Sequence, residues 1–246
     1  SDTGECHDND GIHRSSGRIY RIVYDGPDKG EPTTERPEWL TQRAIGSGEH
    51  DTLLSSDDES QRALAVRWVS EDKSQNESIL KRFAELAESD SSALVRLELA
   101  AALQRIPLTS RFTLASLLAS HTEDASDRQQ SLMIWYGISE AVSKYPDKAV
   151  KLALSSKLPT VTRLITRRLA EDLEKTPEPV NELLSSTTDE NRLPILRGLN
   201  EGLEGWAKAP KPVAWDAIIK AGGDQETKTL IRELSLVFGD GRARDE

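Results

Sequence analysis

The chain has 246 residues, of which 36% are hydrophobic and 30% are charged. Its formal net charge of −10 at pH 7 disfavours nucleic acid and anionic membrane surfaces as partners, because both would repel it at long range. The sequence has no run of about 18 apolar residues, so it predicts no membrane insertion. Proteins, or neighbouring domains of the same protein, are the expected partners.

Residues 1–30 differ in composition from the rest of the chain. They contain the only Cys, Cys6, and residues 17–24 read Gly-Arg-Ile-Tyr-Arg-Ile-Val-Tyr, which favours a strand. A single strand cannot pair its own backbone groups, so this segment predicts a hairpin or the remnant of a larger sheet. Residues 31–36 are predicted to be a linker. The chain also begins without Met, and we expect it to be a piece of a longer protein.

From residue 37 onward every apolar pattern has the spacing of a helix. Apolar residues recur every three or four positions, as in residues 92–105 and 161–169, which marks one buried face per helix. Ser, Thr, Asp and Pro cluster where helices should begin and predict N-caps and first turns. The predicted helices span residues 37–45, 61–70, 76–88, 92–105, 110–119, 128–143, 147–155, 160–174, 178–185, 190–206, 212–221 and 226–238.

These helices form six consecutive pairs. The second helix of each pair carries a basic or polar residue in its first turns, at a spacing of 29 to 36 positions: Arg62, Arg96, Gln130, Arg163, Arg192 and Lys228. A two-helix unit with a variable period in the thirties is typical of HEAT-like arrays, in which each pair buries its apolar face against its neighbours. The sequence therefore predicts an all-α, HEAT-like solenoid of antiparallel helix pairs over residues 37–246, preceded by a short N-terminal β segment.

The densest polar cluster lies in residues 4–13, Gly-Glu-Cys-His-Asp-Asn-Asp-Gly-Ile-His. Cys6, His7 and His13 are of the types that bind zinc or copper, and the two aspartates between them could hold calcium. The cluster has neither a paired Cys-x-x-Cys nor a calcium loop that ends in Glu. The alternative is a structural loop whose short polar side chains hydrogen-bond to the nearby backbone.

Three segments carry a family resemblance. Residues 2–20 are similar to the end of the β-propeller in the bacterial PVC-type haem-binding CxxCH proteins, known as membrane-bound dehydrogenases. Residues 123–136 and 238–243 resemble stretches of the helical-repeat region of that family. The resemblance implies a periplasmic location, a sugar-dehydrogenase-like propeller before the repeats and a domain after them that binds haem c through Cys-x-x-Cys-His. This chain lacks that motif, so we expect it to hold no cofactor.

Motifs of catalysis are missing from the sequence. No nucleophile motif lies near His50 or His121, and neither a Gly-x-Gly-x-x-Gly nor a phosphate-binding loop occurs. We expect both histidines to be structural or exposed to solvent. The chain by itself is then not expected to be an enzyme. The resemblance implies that the longer protein to which it belongs is a dehydrogenase.

Two features predict a binding surface on the helices. Residues 157–168 contain four basic residues and no acid, although Glu171 and Asp172 follow two of them by four positions and can pair with them along a helix. Trp135 and Tyr136 are neighbours on a helix, so their side chains point about 100° apart and one ring can be buried while the other is exposed.

In HEAT-like arrays the second helix of each pair lines the concave face. We call the six residues that recur at the start of the second helices the ladder: Arg62, Arg96, Gln130, Arg163, Arg192 and Lys228. We therefore predict that the ladder lies on the same face as Trp135 and Tyr136. We expect most of these residues to pair with acids of adjacent repeats, with Asp58, Asp90, Asp127 and Asp189 as candidates, and mainly to set the register. The alternative is that some of them are unpaired and bind an acidic partner, near Arg163, Trp135 and Tyr136. The predicted binding surface comprises Arg96, Trp135, Tyr136 and Arg163.

The leading hypothesis is a non-catalytic scaffold or interaction module that holds a propeller and a haem c domain in place or docks a partner. The alternative is that residues 1–30 contribute metal or substrate ligands to a dehydrogenase. A helical nucleic-acid-binding protein is disfavoured by the net charge.

Overall fold

The computed structural model describes residues 50–71 and 77–239, which belong to one compact unit that begins at Ile45. Over these ranges the chain is helical, with one 3-10 turn at Thr122–Asp124 and no strand. The predicted β segment, linker and helix 37–45 lie outside the described residues. The helices are α1 (His50–Leu54), α2 (Glu59–Glu71), α3 (Glu77–Ser89), α4 (Ala93–Ala102), α5 (Leu108–Leu118), α6 (Arg128–Val142), α7 (Pro146–Ser155), α8 (Pro159–Ala170), α9 (Glu178–Ser185), α10 (Asp189–Gly202), α11 (Trp215–Ala221) and α12 (Gln225–Val237).

The described helices alternate between two layers. The even-numbered helices contact one another in chain order from α2 to α12, and the odd-numbered helices from α3 to α9 do the same in the other layer. We call the odd-numbered helices the first layer, the even-numbered helices the second layer, and the six successive pairs repeats 1 to 6. This succession of contacts is that of a helical repeat, and the predicted all-α architecture is confirmed for the described residues.

Local sequence explains where the helices begin. Ser92, Asp127 and Asp224 are N-caps whose side chains accept backbone N–H groups of the first turns of α4, α6 and α12, which satisfies donors that have no partner within the helix. Pro146 and Pro159 occupy the first positions of α7 and α8, where a missing N–H breaks no helical bond. Each cap lies at the start of a helix that the sequence predicts.

One apolar core cluster runs from α1 to the end of α12. Neighbouring helices contact each other more extensively in the second layer than in the first, and glycines allow this approach. A Cβ at Gly198 of α10 would lie 2.3 Å from the backbone O of Arg163 in α8, and a Cβ at Gly137 of α6 would lie 2.3 Å from the Cβ of Leu103. In residues 50–71 and 77–239 no helix has the length and apolar character needed to cross a bilayer.

Candidate interaction surface

Arginines of the second layer cross-link the first three repeats. Arg62 of α2 donates from Nε to Asp90 Oδ2 (2.7 Å) and from Nη2 to Asp90 Oδ1 (2.9 Å), just before α4. Arg96 of α4 makes the same two bonds to Asp124, before α6, at 2.7 and 2.6 Å. In both cases the partners are 28 residues apart. We call these two bidentate pairs rungs, because one interaction recurs at the period of the repeat.

Hydrogen bonding favours the charged forms of Asp90 and Arg96. Burial acts to raise the pKa of Asp90, but hydrogen bonds from the Arg62 side chain and the Ser92 backbone N–H, together with the charges of Arg62 and Arg96, outweigh it and hold the pKa below its ordinary value. The hydrogen bond to Asp124 raises the pKa of Arg96 above its ordinary value. Asp90 and Arg96 are therefore charged at neutral pH, as charge-assisted pairs require.

The structure corrects the place predicted for Arg96. This residue is 2% exposed, and its Nη1 donates a third hydrogen bond to the backbone O of Asp90 (2.9 Å). Because the guanidinium is buried and held by three bonds, it presents no donor to a partner on the surface. Arg96 fixes the register of repeats 2 and 3 instead.

The later ladder residues differ from one another. Arg163 pairs with Glu201 of α10 at 2.5 Å, whereas Arg192 pairs with Asp189 of its own helix at 2.6 Å. Lys228 is exposed. Pairing with an acid of a neighbouring repeat is thus confirmed for the first three arginines of the ladder.

Three other residues named from the sequence have different roles. Asp58 accepts the backbone N–H of Ser60 (2.8 Å) and Asp127 accepts that of Gln129 (2.7 Å), so both aspartates cap the starts of helices. Gln130 is buried, 1% exposed, and its Nε2 has no hydrogen-bond partner. The third repeat therefore has no rung of the kind seen in the first two.

Two arginines of the basic run pair with acids that directly follow α8. Arg168 Nη1 lies 3.0 Å from an oxygen of Asp172, and Arg167 Nε lies 3.7 Å from an oxygen of Glu171. These are the pairs four residues apart that the sequence allows. Their side chains are exposed or half-exposed, so each pair contributes little to stability.

The aromatic pair of α6 divides between core and solvent, as its helical spacing predicts. Trp135 is half-buried and packs against the core. Tyr136 is 54% exposed. Of the two rings, Tyr136 is therefore the one available to a partner.

Tyr136 belongs to an apolar area on the exposed side of α4 and α6. Leu94 is 42% exposed, and two further leucines of these helices are half-buried and lie outside the core cluster. A contiguous patch of apolar side chains that are exposed to water is typical of an interaction site. We call this area the outer patch; it consists of Leu94, Leu97, Leu132 and Tyr136.

Helix register places the two halves of the outer patch side by side. Leu97 and Leu132 are each the fifth residue of their helices, α4 and α6 are in contact, and Gly137 of α6 faces Leu103 at the end of α4. Equivalent positions of the two helices are therefore almost level. The three leucines were not predicted to be part of a binding surface. Residues 94–103 nevertheless carry leucines on more than one side of the helix, which a helix with a single buried face does not require.

Arginines border the outer patch on the two flanking helices. Arg67 of α2, Tyr136 of α6 and Arg167 of α8 are each the ninth residue of their helices, and all three are exposed. The side chain of Arg163, one turn earlier on α8, is 31% exposed. Across the second layer the exposed side thus runs from basic to apolar and back to basic, from α2 to α8.

His121 has a structural role. Its Nε2 hydrogen-bonds with the backbone O of Ala87 (2.7 Å) and its Nδ1 with Glu123 Oε1 (2.9 Å). These contacts join repeat 3 to α3 of repeat 2, which agrees with the structural role expected from the sequence. His50 is the first residue of α1.

The candidate metal ligands Cys6, His7 and His13 lie outside the described residues, so their role stays a prediction. In the described part of the chain no group of three or more His, Cys, Asp or Glu side chains is placed to hold a metal ion.

Comparison of the chain with protein-family models, curated proteins and solved structures yields no match. The geometry of the repeats and of the outer patch is therefore the basis for a proposed function.

Proposed function

We propose that this chain is a HEAT-like, non-catalytic interaction or scaffold module and that the outer patch is its docking surface. The observation that carries the proposal is the exposure of Tyr136 and Leu94 on adjacent helices. Burying a fully exposed apolar side chain is worth about 1.5–3 kcal/mol, so covering the exposed half of each of these side chains would contribute about half as much. Aromatic anchors surrounded by apolar contacts dominate many interfaces.

The partner that fits this surface is a protein segment with both apolar and acidic side chains. Its apolar groups would cover the outer patch, and its carboxylates would face Arg67 on one border. On the other border they would share Arg163 and Arg167 with Glu201 and Glu171, which already pair with these arginines. The net charge of −10 disfavours nucleic acid in this role. Such a segment can belong to a neighbouring domain or to a second protein.

The place of the module in a longer protein is proposed from the resemblance of residues 2–20, 123–136 and 238–243. It supports a periplasmic protein in which the repeats join a dehydrogenase-like propeller to a haem c domain. An alternative is that residues 4–13 contribute metal or substrate ligands to a sugar-dehydrogenase-like enzyme. The clustering of Cys6, His7 and His13 favours it.

Site-specific photo-crosslinking in the cells that make the protein tests the docking surface. A benzoylphenylalanine at Leu94 is the reporter, and one at Val213, which is 87% exposed and lies between α10 and α11, is the control. We expect Leu94 to yield one defined product whose peptide carries apolar and acidic residues, and Val213 to yield none. Equal labelling from both positions, or no product from Leu94, would contradict the proposal.

Substitution then separates docking from folding. Tyr136→Ala should reduce the crosslink from Leu94 while the melting temperature changes little, because the Tyr136 side chain is 54% exposed. Arg163→Ala should also reduce the crosslink, and it should lower the melting temperature as well, because it leaves the part-buried Glu201 without its partner. The matched control Val213→Ala should change neither quantity. A lower melting temperature with an unchanged crosslink would leave the two residues a purely structural role.

A further inference from the structure

Side chains tie repeat 1 to repeat 2 and repeat 2 to repeat 3. Each of these boundaries has one rung, which is part-buried at Arg62 and buried at Arg96. In addition, Arg82 of α3 donates from Nη2 to the backbone O of Leu54 in α1 (3.3 Å), and His121 bonds to the backbone of α3. Charged or aromatic side chains therefore hold both layers of the first three repeats.

Side chains also tie repeat 4 to repeat 5 and repeat 5 to repeat 6. Arg163 pairs with Glu201 across the first boundary, and Gly198 brings α10 against the backbone of α8. At the second boundary Arg197 donates two bonds to Glu226, at 2.6 and 2.7 Å. The last three repeats are again joined by directional contacts.

The boundary between repeats 3 and 4 differs from the other four. Apart from the first-turn bonds of α7, two polar contacts cross it within the described ranges. The first is the backbone hydrogen bond from Lys157 N–H to Ala119 O (2.7 Å). The second is the contact of Lys148 Nζ with the ring of Tyr145, three residues earlier, at 5.3 Å from the ring centre. Helices α6 and α8 are in contact. Their contact is made without an ion pair between described side chains.

At this boundary, the positions that correspond to the two rungs carry side chains that cannot form an ion pair. Gln130 Nε2 and Ser131 Oγ of α6 are buried and have no hydrogen-bond partner. Before α8, Ser156 takes the place of Asp90, since Ser156 Oγ and Asp90 Oδ1 each accept the backbone N–H of the residue two positions later. The third rung thus lacks both the guanidinium and the carboxylate, and two buried polar atoms stay unsatisfied.

We propose that the boundary between α5–α6 and α7–α8 is a joint and that the described unit consists of two cooperative blocks, repeats 1–3 and repeats 4–6. Bidentate ion pairs fix the orientation of one helix relative to the next, whereas apolar contact is non-directional. Buried polar atoms without partners weaken the interface further, and openings that hydrate them relieve this cost. The inference depends on the repeat contacts and not on the docking function.

Hydrogen exchange of the full chain, followed by mass spectrometry, tests the two blocks. Asp90→Asn weakens a rung in the first block, and Gly198→Ala forces α8 and α10 apart in the second. Under conditions where exchange reports opening equilibria, we expect Asp90→Asn to accelerate exchange about tenfold or more in α2–α5 while α9–α12 change less than twofold. Gly198→Ala should give the reverse pattern.

Unequal responses of the two halves would support the joint. Equal acceleration throughout the chain by both variants would show one cooperative unit and overturn it. If one variant does not fold, the other decides alone. Urea unfolding gives an independent reading, because Trp68 reports on repeat 1 and Trp215 on repeat 6. Coincident transitions from these two probes, each isolated by replacing the other Trp residues with Phe, would also overturn the proposal.

Discussion

Removing the carboxylate of the second rung should be among the most damaging conservative changes in the chain. Asp124→Asn leaves the Arg96 guanidinium 2% exposed and removes the negative charge and one of the two oxygens that accept its shortest bonds. The amide oxygen can still accept one of these bonds, the bond to the backbone O of Asp90 stays, and Glu123 Oε1 lies 3.7 Å away as the nearest acid. Breaking a buried ion pair on one side costs about 3–5 kcal/mol, of which one lost hydrogen bond to a charged group accounts for about 1.5–3 kcal/mol.

Urea denaturation followed by circular dichroism measures this cost. We expect Asp124→Asn to lower the free energy of unfolding of the first block by about 3–5 kcal/mol. The double variant Arg96→Met with Asp124→Leu should cost less, because no unpaired charge stays buried. Lys144→Ala, which breaks a pair with side chains 52% and 59% exposed, is the control and should be neutral within error. A loss below about 1 kcal/mol for Asp124→Asn, or a double variant worse than the single one, would refute the reasoning.

Three further outcomes follow from the structure and the sequence. Gly198→Ala should destabilise the chain by about 1–3 kcal/mol in urea, because the new Cβ would lie 2.3 Å from Arg163 O. This loss is expected although Ala is the better helix former, and an unchanged midpoint of urea unfolding would contradict it. The pKa of Asp90 is lowered, so its ion pair with Arg62 contributes stability above about pH 3.9 that is lost as the pH falls through the folded pKa. The Asp90→Asn variant should therefore be less stable at neutral pH and lose less stability in acid. An unaltered dependence of stability on pH in acid would contradict this. Purified from a host that matures cytochromes, the chain should show no haem Soret band, and stoichiometric zinc or copper bound to residues 1–30 would instead favour the alternative function.

Helix starts could be predicted from the sequence because short polar side chains and prolines mark them. The predicted start at residue 128 coincides with that of α6, which Asp127 caps. Helix ends were less well predicted: α10 ends at Gly202 and not at 206, because its apolar pattern continues into Leu203 and Trp206 beyond the helix. Helix α1 was missed, since its five residues are too few to show a period.

The rungs show what sequence spacing can and cannot reveal. The sequence predicts a ladder of basic residues, and Arg62 and Asp90 were both named. Asp124 was not named as the partner of Arg96, because it lies in a short 3-10 turn and not at a helix cap. Its distance of 28 residues from Arg96, equal to that between Arg62 and Asp90, is the signal that identifies it. The burial of Arg96 depends on packing between repeats, which no single helical pattern encodes.

The outer patch and the joint meet at α6. Tyr136 lies in the first block, and the bordering Arg163 lies in the second, so a partner that contacts both residues would hold the two blocks in one orientation. The amide of Lys157 reports on this directly, because its N–H donates across the joint to Ala119 O. Binding a partner should therefore slow exchange of that amide, and Arg163→Ala should remove the slowing while crosslinking from Leu94 persists in part. Equal protection of Lys157 with and without a bound partner would mean that docking occurs within the first block alone.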